Sequence, residues 1–405
     1  MWNDFKYSKK FTRIIIFCFS LILLYFSSVV PFLSDNAYAK SSENELEEEF
    51  ANNVDNILSG IESDELNDYL NNDFDLEFFK VNSFKELVKN VLSGEYFSEY
   101  NSFFDLVMES FRSGLGKILK VFLMFLLIVI LFEMFKNFCV DKFSDLKNIV
   151  KIIFSVVIMS LLLQIFKSLS VELVCVIEKI FSFSKILFPI ILSLILLSGS
   201  VGSHSVYNSL FLFLINTGSY VFTYILIPMA TAIFVLSLFN LLSSNRRLSK
   251  IIDLFKTLFK YVVVIFFSIF GLFSSINLIS SGVRDGVSLR LTKFAIKNYI
   301  PIIGGYVSQG FDFIHSCSIV IKNAFGVCGI IVLIFIIVKP LILYIVYQFL
   351  FKMLSAVSGL IGSDLYSDLF AGVSKALSYF LVVLVGLFFL MFVFLYLLII
   401  SITVV

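Results

Sequence analysis

The chain has 405 residues, of which 59% are hydrophobic and only 15% charged, against about 25% charged in an ordinary soluble domain. With a mean hydropathy of +0.97, this excludes a cytosolic enzyme of the usual kind and a disordered protein. The net charge of +1 conceals a segregation: residues 40–105 carry 17 Asp and Glu against four Lys, and residues 106–405 carry 23 Lys and Arg against 11 Asp and Glu. The first stretch reads as an acidic, water-exposed segment and the second as a basic membrane domain.

Residues 1–39 read as an export signal. Lys6, Lys9, Lys10 and Arg13 form the positive region, Ile14 to Val30 the apolar region, and Ala37-Tyr38-Ala39 the small-x-small cleavage pattern ahead of the polar Lys40-Ser41-Ser42-Glu43. An uncleaved anchor helix is the competing reading, because the apolar region is slightly long. Either way residues 40–105 are placed outside the cytoplasm. Within them Phe50, Val54, Ile57, Leu58 and Ile61 fall at helical spacing, as do Phe84, Leu87, Val88, Val91 and Leu92, which predicts short amphipathic helices. The carboxylates Glu43, Glu45, Glu47, Glu48 and Glu49 lack the Asp/Asn and Gly alternation of a calcium loop. They read as a solvated helix face.

From residue 106 the chain is membrane-like. Ile118 to Phe135 and Ile149 to Phe166 are the first two predicted spans. Glu133 is expected to pair with Lys136, three residues on along the same face. Residues 167–185 alternate Lys167, Glu172, Glu178, Lys179 and Lys185 with apolar residues, which predicts a helix lying along the interface. Ile186 to Leu197 is short and holds Pro189, so it reads as a tilted span or a re-entrant segment. Residues 206–242 carry no formal charge and contain Asn216-Thr217-Gly218-Ser219 and Pro228, which predicts a helix broken at depth.

The basic stretch 244–260 follows, then a span from Tyr261 to Leu278. Residues 281–324 place Arg284, Asp285, Arg290, Lys293 and Lys297 among Leu289, Leu291, Phe294 and Ala295, an amphipathic helix ended by Pro301 and Gly304-Gly305. Lys339-Pro340 divides two apolar stretches, Phe325 to Val338 and Leu341 to Leu354, and a last uncharged run extends from Ala376 to Val405. The fold class is therefore all-α: a polytopic membrane protein with about six to eight spans or re-entrant helices. Charge sets the orientation. Lys136, Lys142, Lys147, Lys151 and the stretch 244–260 fall inside, as the positive-inside rule requires, and 284–297 falls outside against it.

Five cysteines and two histidines show no metal or redox spacing. The chain has no phosphate-binding loop, no H-E-x-x-H and no G-x-S-x-G. Its positive charges flank spans and do not form a soluble nucleic-acid face. No cofactor and no enzymatic activity are expected. Polar residues in or beside apolar runs carry what signal remains: Gln164, Asn216, Asn277, Asn323 and Gln348, with Lys322, whose burial in a bilayer costs about 3 kcal/mol unless it faces protein or water. They read either as inter-helix hydrogen bonds or as the lining of a hydrated path.

Asp285-Gly286-Val287-Ser288-Leu289-Arg290, Lys293-Phe294 and Asn298-Tyr299-Ile300-Pro301-Ile302-Ile303-Gly304 resemble the stage III sporulation protein AE family of endospore-forming Firmicutes. Phe213-Leu214-Ile215-Asn216-Thr217-Gly218, Ile227-Pro228, Phe188-Pro189 and Ile321-Lys322-Asn323 followed by Gly326 support the likeness, as does the order of signal, acidic region and polytopic domain. The resemblance implies a subunit of the channel, or feeding tube, that joins mother cell and forespore. It also implies a place in the mother-cell membrane facing the forespore, and as partners an ATPase and ring-forming stage III proteins. Candidate conduit or partner-contact residues are Asn216, Asp285, Arg290, Lys293, Lys297, Asn298, Pro301, Gly304, Lys322 and Asn323. A self-contained secondary transporter and a purely structural membrane scaffold are the alternatives.

Overall fold

The computed structural model describes residues 64–73, 83–93, 101–138, 144–242, 248–299 and 304–401. The expected signal sequence and the carboxylates 43–49 lie outside them. Every element among the described residues is helical. Two short helices come first, α1 (Asp64–Asp73) and α2 (Phe84–Ser93). Ser83 caps α2 by accepting the Glu86 N–H at 3.2 Å, and Asn67 on α1 accepts the Phe84 N–H at 2.9 Å. A helix start, whose first N–H groups lack partners in the helix itself, thus ties the two together. The apolar side predicted for α2 is the one that packs: Phe84, Leu87 and Val88 are buried. Phe84 meets Phe325 at 5.4 Å between ring centroids, and the Tyr69 hydroxyl of α1 donates to the Lys179 carbonyl at 2.9 Å.

Six candidate spans follow among the described residues. They lie in α3 (Asn101–Phe138), α4 (Ser144–Leu197), the composite of α5 (Val201–Phe213) and α6 (Ile227–Leu242), α7 (Ser249–Tyr299), α8 (Gly304–Leu360) and α9 (Asp364–Ile400). The number agrees with the lower end of the expected range. The divisions expected within them do not appear. Residues 167–185 and 186–197 are neither a separate interfacial helix nor a re-entrant segment. They continue the second span through Pro189 in one helix of 54 residues. Pro340 likewise lies inside α8, a helix of 57 residues. A proline removes one intrahelical hydrogen bond, but packing of the residues beside it holds the helix together: Pro340 is buried, and Pro189 itself is exposed. Leu187, Phe188 and Ile191 are fully buried around Pro189.

The expected break in residues 206–242 takes a milder form. Leu214–Gly218 and Val221–Leu226 are wide π turns between α5 and α6. Such turns take in an extra residue and leave the chain helical. The 284–297 stretch is the C-terminal part of α7, which ends at Tyr299 just before Pro301.

The centre is the α8–α9 hairpin. In the most apolar window of α8, 67% of residues are buried, against 17% in α7, so α8 is enclosed and α7 peripheral. The hairpin turn is a Schellman motif. Ser363 N–H bonds the Ser358 carbonyl at 2.9 Å and Gly362 N–H the Gly359 carbonyl at 3.1 Å, with Gly362 at φ +90, where only glycine sits without strain. Gly326 and Gly329 let α8 approach its neighbours: a Cβ at Gly326 would stand 2.5 Å from Ile399 Cγ1, and one at Gly329 would overlap Leu187 and lie 3.3 Å from Leu395. Aromatic rings fill the middle, with Phe166 stacked on Phe234 at 3.6 Å and edge-on to Phe380 at 5.0 Å.

Candidate functional site

Lys322 is fully buried on α8, one turn before Gly326. Its ammonium donates to the carbonyls of Leu398 at 2.9 Å and Ile399 at 2.8 Å and approaches Ser401 Oγ at 3.5 Å. These are the last carbonyls of α9, which have no intrahelical donor and carry the negative end of the helix dipole. A buried cation at a helix C-terminus is thus both hydrogen-bonded and electrostatically favoured. The same face of α8 carries His315 and Ser318, seven and four residues earlier. His315 Nδ1 lies 2.6 Å from the Ser198 carbonyl; a carbonyl only accepts, so the proton sits on Nδ1. The hydroxyl of Ser318 and Oδ1 of Asn323 are buried without a hydrogen-bond partner.

Toward the other end of the hairpin a second polar seam joins α8 to α9. Gln348 donates to Ser378 at 2.7 Å, Ser374 donates to the Gln348 carbonyl at 3.0 Å, and Ser355 donates to the Ser367 carbonyl at 2.9 Å. Tyr344 donates to the Leu169 carbonyl of α4 at 2.6 Å. Glu133 and Lys136 pair at 2.8 Å, as their spacing predicts. For Lys322 and Gln348 the inter-helix hydrogen bond is therefore the observed role.

Asn216 behaves differently. It lies in the first π turn, and its side chain and that of Thr217 are exposed on the outside of the bundle. Ser205, Ser209, Tyr220 and Tyr224 are exposed on the same segment. Ser205 and Ser209, and then Asn216, Tyr220 and Tyr224, follow at intervals of four, with the exposed Leu212 between the two groups, which keeps them toward one side of the helix. Of the other expected residues, Asp285, Arg290, Lys293, Lys297 and Asn298 belong to the last part of α7 and Gly304 opens α8. Their side chains, and Pro301 altogether, lie outside the described residues.

On α4 sequence reasoning singled out Gln164 alone, as an inter-helix hydrogen bond or the lining of a hydrated path. Standing upright in the bundle, this helix turns Gln164, Lys167, Ser168, Cys175, Glu178, Ser182 and Lys185 outward, all exposed. Its inward side buries Phe166, Leu173, Ile177, Phe181 and Ser184. The signal was present in the alternation of residues 167–185, but it reads as an interfacial helix until the helix is seen to continue at both ends. A charge facing lipid near the bilayer centre costs about 2.5–3.5 kcal/mol on insertion scales. Lys167, Glu178 and Lys185 together would make lipid a poor neighbour for this face.

A bundle of helices with six candidate spans, apolar at its centre and joined by buried polar pairs, defines a polytopic α-helical membrane protein. The family model described as Stage III sporulation protein AE matches residues 82–403. The chain is also 26% identical over 267 residues to Stage III sporulation protein AE of Bacillus subtilis (strain 168), a match covering 65% of this chain and 66%, just under two thirds, of that protein. No solved structure matches. The chain belongs to the stage III sporulation protein AE family, and so to a sporulation family whose description names no reaction.

Proposed function

We propose that this protein is a membrane subunit of the channel that joins mother cell and forespore, acting as a permease-like conduit or the core of an export platform. It sits in the mother-cell membrane facing the forespore, with residues 40–105 extracytoplasmic. Its partners are an ATPase and ring-forming stage III proteins. The observation that carries this reading is the family match across residues 82–403, which contains all six candidate spans. The hydrogen-bonded state of Lys322 and Gln348 favours a second reading, a membrane scaffold, in which deep polar residues only join helices. Deleting the gene in an endospore-forming host tests the role. Vegetative growth should be normal, development should stop after engulfment, and a fluorescent fusion should gather at the membrane around the forespore. Normal numbers of heat-resistant spores from the deletion strain would remove the assignment.

A further inference from the structure

Helices α4 and α9 both end against the N-terminal half of α8. The last carbonyls of a helix have no donor within it, and α8 meets each of these ends with a side chain that donates. His315 reaches the Ser198 carbonyl, and Lys322 reaches those of Leu398 and Ile399. The oxygens around the Lys322 ammonium are all neutral: two carbonyls, at 2.9 and 2.8 Å, and the Ser401 hydroxyl at 3.5 Å. The Ser401 proton is already donated to the Leu398 carbonyl at 2.8 Å, so toward the ammonium this oxygen only accepts. Ser318, one turn earlier on the same face of α8, adds a buried hydroxyl without a partner. One turn later Gly326 leaves room for Ile399, which brings the end of α9 up to the lysine.

Neutral oxygens gathered at the negative end of a helix are the donor chemistry of a monovalent-cation site. Divalent cations take carboxylates, and none of these oxygens belongs to one. Ion-coupled transporters with broken helices hold their coupling cation on such helix ends and on unwound carbonyls. The end of α9 instead holds an ammonium joined to α8 by its own stem.

We propose that the end of α9 is a site for a small monovalent cation of the ammonium type, and that Lys322 fills it in the native chain as a tethered cation. The occupant is part of the protein, so no exchangeable ion is taken up at this helix end. That goes beyond the conduit reading, holds equally for a scaffold, and counts against a self-contained transporter coupled to an ion here.

Substitution empties the site in two sizes. Methionine follows the lysine stem but ends one atom short of the nitrogen, so Lys322→Met vacates the place of an ammonium ion. Lys322→Ala vacates stem and head together, the equivalent of propylammonium. A ligand that binds only the folded chain raises its stability as its concentration passes the dissociation constant. Thermal unfolding of the full-length protein in detergent, at constant ionic strength, reads this together with amide exchange in the last turn of α9. Ammonium chloride should raise the midpoint of Lys322→Met and slow exchange in that turn at least threefold relative to choline chloride. Propylammonium chloride should do the same for Lys322→Ala, and propanol at equal concentration should not. Neither salt should move the native midpoint. If neither variant responds to its matching cation beyond choline, or if propanol restores Lys322→Ala as well as propylammonium does, the position takes stem volume and not a cation, and the proposal is wrong. It is equally wrong if ammonium stabilises the native chain as much as Lys322→Met. Should Lys322→Ala fail to fold, Lys322→Met with ammonium decides alone.

Discussion

Lys322 carries a positive charge into an apolar bundle because α9 ends beside it. Two carbonyls and a serine hydroxyl receive its ammonium, and the end of the helix dipole favours the charge. In Lys322→Met the stem is replaced at similar length, but the Ile399 carbonyl loses its side-chain donor, while the Leu398 carbonyl keeps the Ser401 hydroxyl at 2.8 Å. An unsatisfied buried acceptor costs about 1–3 kcal/mol, offset in part because no ammonium is desolvated. Thermal unfolding in detergent should show a lower midpoint, and amide exchange should quicken in the last turn of α9. Unchanged exchange there would mean that the ammonium does not hold that turn.

At the scale of an element, α8 is a helix whose neighbours approach its backbone. Gly326 and Gly329 leave room for Ile399, Leu187 and Leu395, whereas Gly271 of α7 has open space where a Cβ would go. The same substitution should therefore act in opposite directions. Gly326→Ala overpacks the α8–α9 contact, at a cost of about 1–3 kcal/mol. Gly271→Ala only removes backbone freedom in a helix, a gain of roughly 0.5–1 kcal/mol. Unfolding midpoints of the two variants in the same detergent compare them. Equal shifts would show that the α8–α9 approach is looser than its geometry. The Schellman turn at Gly362 fixes where α8 stops and α9 begins, so the register of this contact depends on a three-residue connection.

For the whole molecule, the order of the candidate spans places the ends of α3, α6 and α8 together. Phe132 near the end of α3 packs on Tyr366 at the start of α9, at 4.8 Å, and Ser155 near the start of α4 lies 3.5 Å from the same hydroxyl. Asn240, near the end of α6, accepts the Leu248 N–H at 3.0 Å and so holds the connection into α7. This end is rich in Lys and Arg, which predicts that it is cytoplasmic. In sealed cells a cysteine placed by Ser42→Cys should react with an impermeant thiol reagent added outside, and one placed by Ser249→Cys should not. Intact mass of the extracted protein should show a chain beginning at or near Lys40. Reversed labelling would overturn the orientation, and retention of residues 1–39 would make the signal an anchor.

The helical class, the approximate number of spans, the acidic and basic halves and the Glu133–Lys136 pair could all be read from the sequence. Each follows from composition or from spacing along one helix. The family was legible too, in the stretch 285–304, because it rests on residue identity and needs no contact. Continuity was not legible. Pro189 and Pro340 look like ends in a sequence, and only the packing of the residues on either side of them decides that they are not. The partner of Lys322 lies 76 residues away in α9, and no local pattern points to it. The amphipathic stretch 167–185 shows by its periodicity that it has two faces, but periodicity is blind to what lies against each. Packing against α1, α8 and α9 takes its apolar side and leaves the charged side outward. That division arises from several helices packing on one, so only the tertiary structure could decide which side is covered.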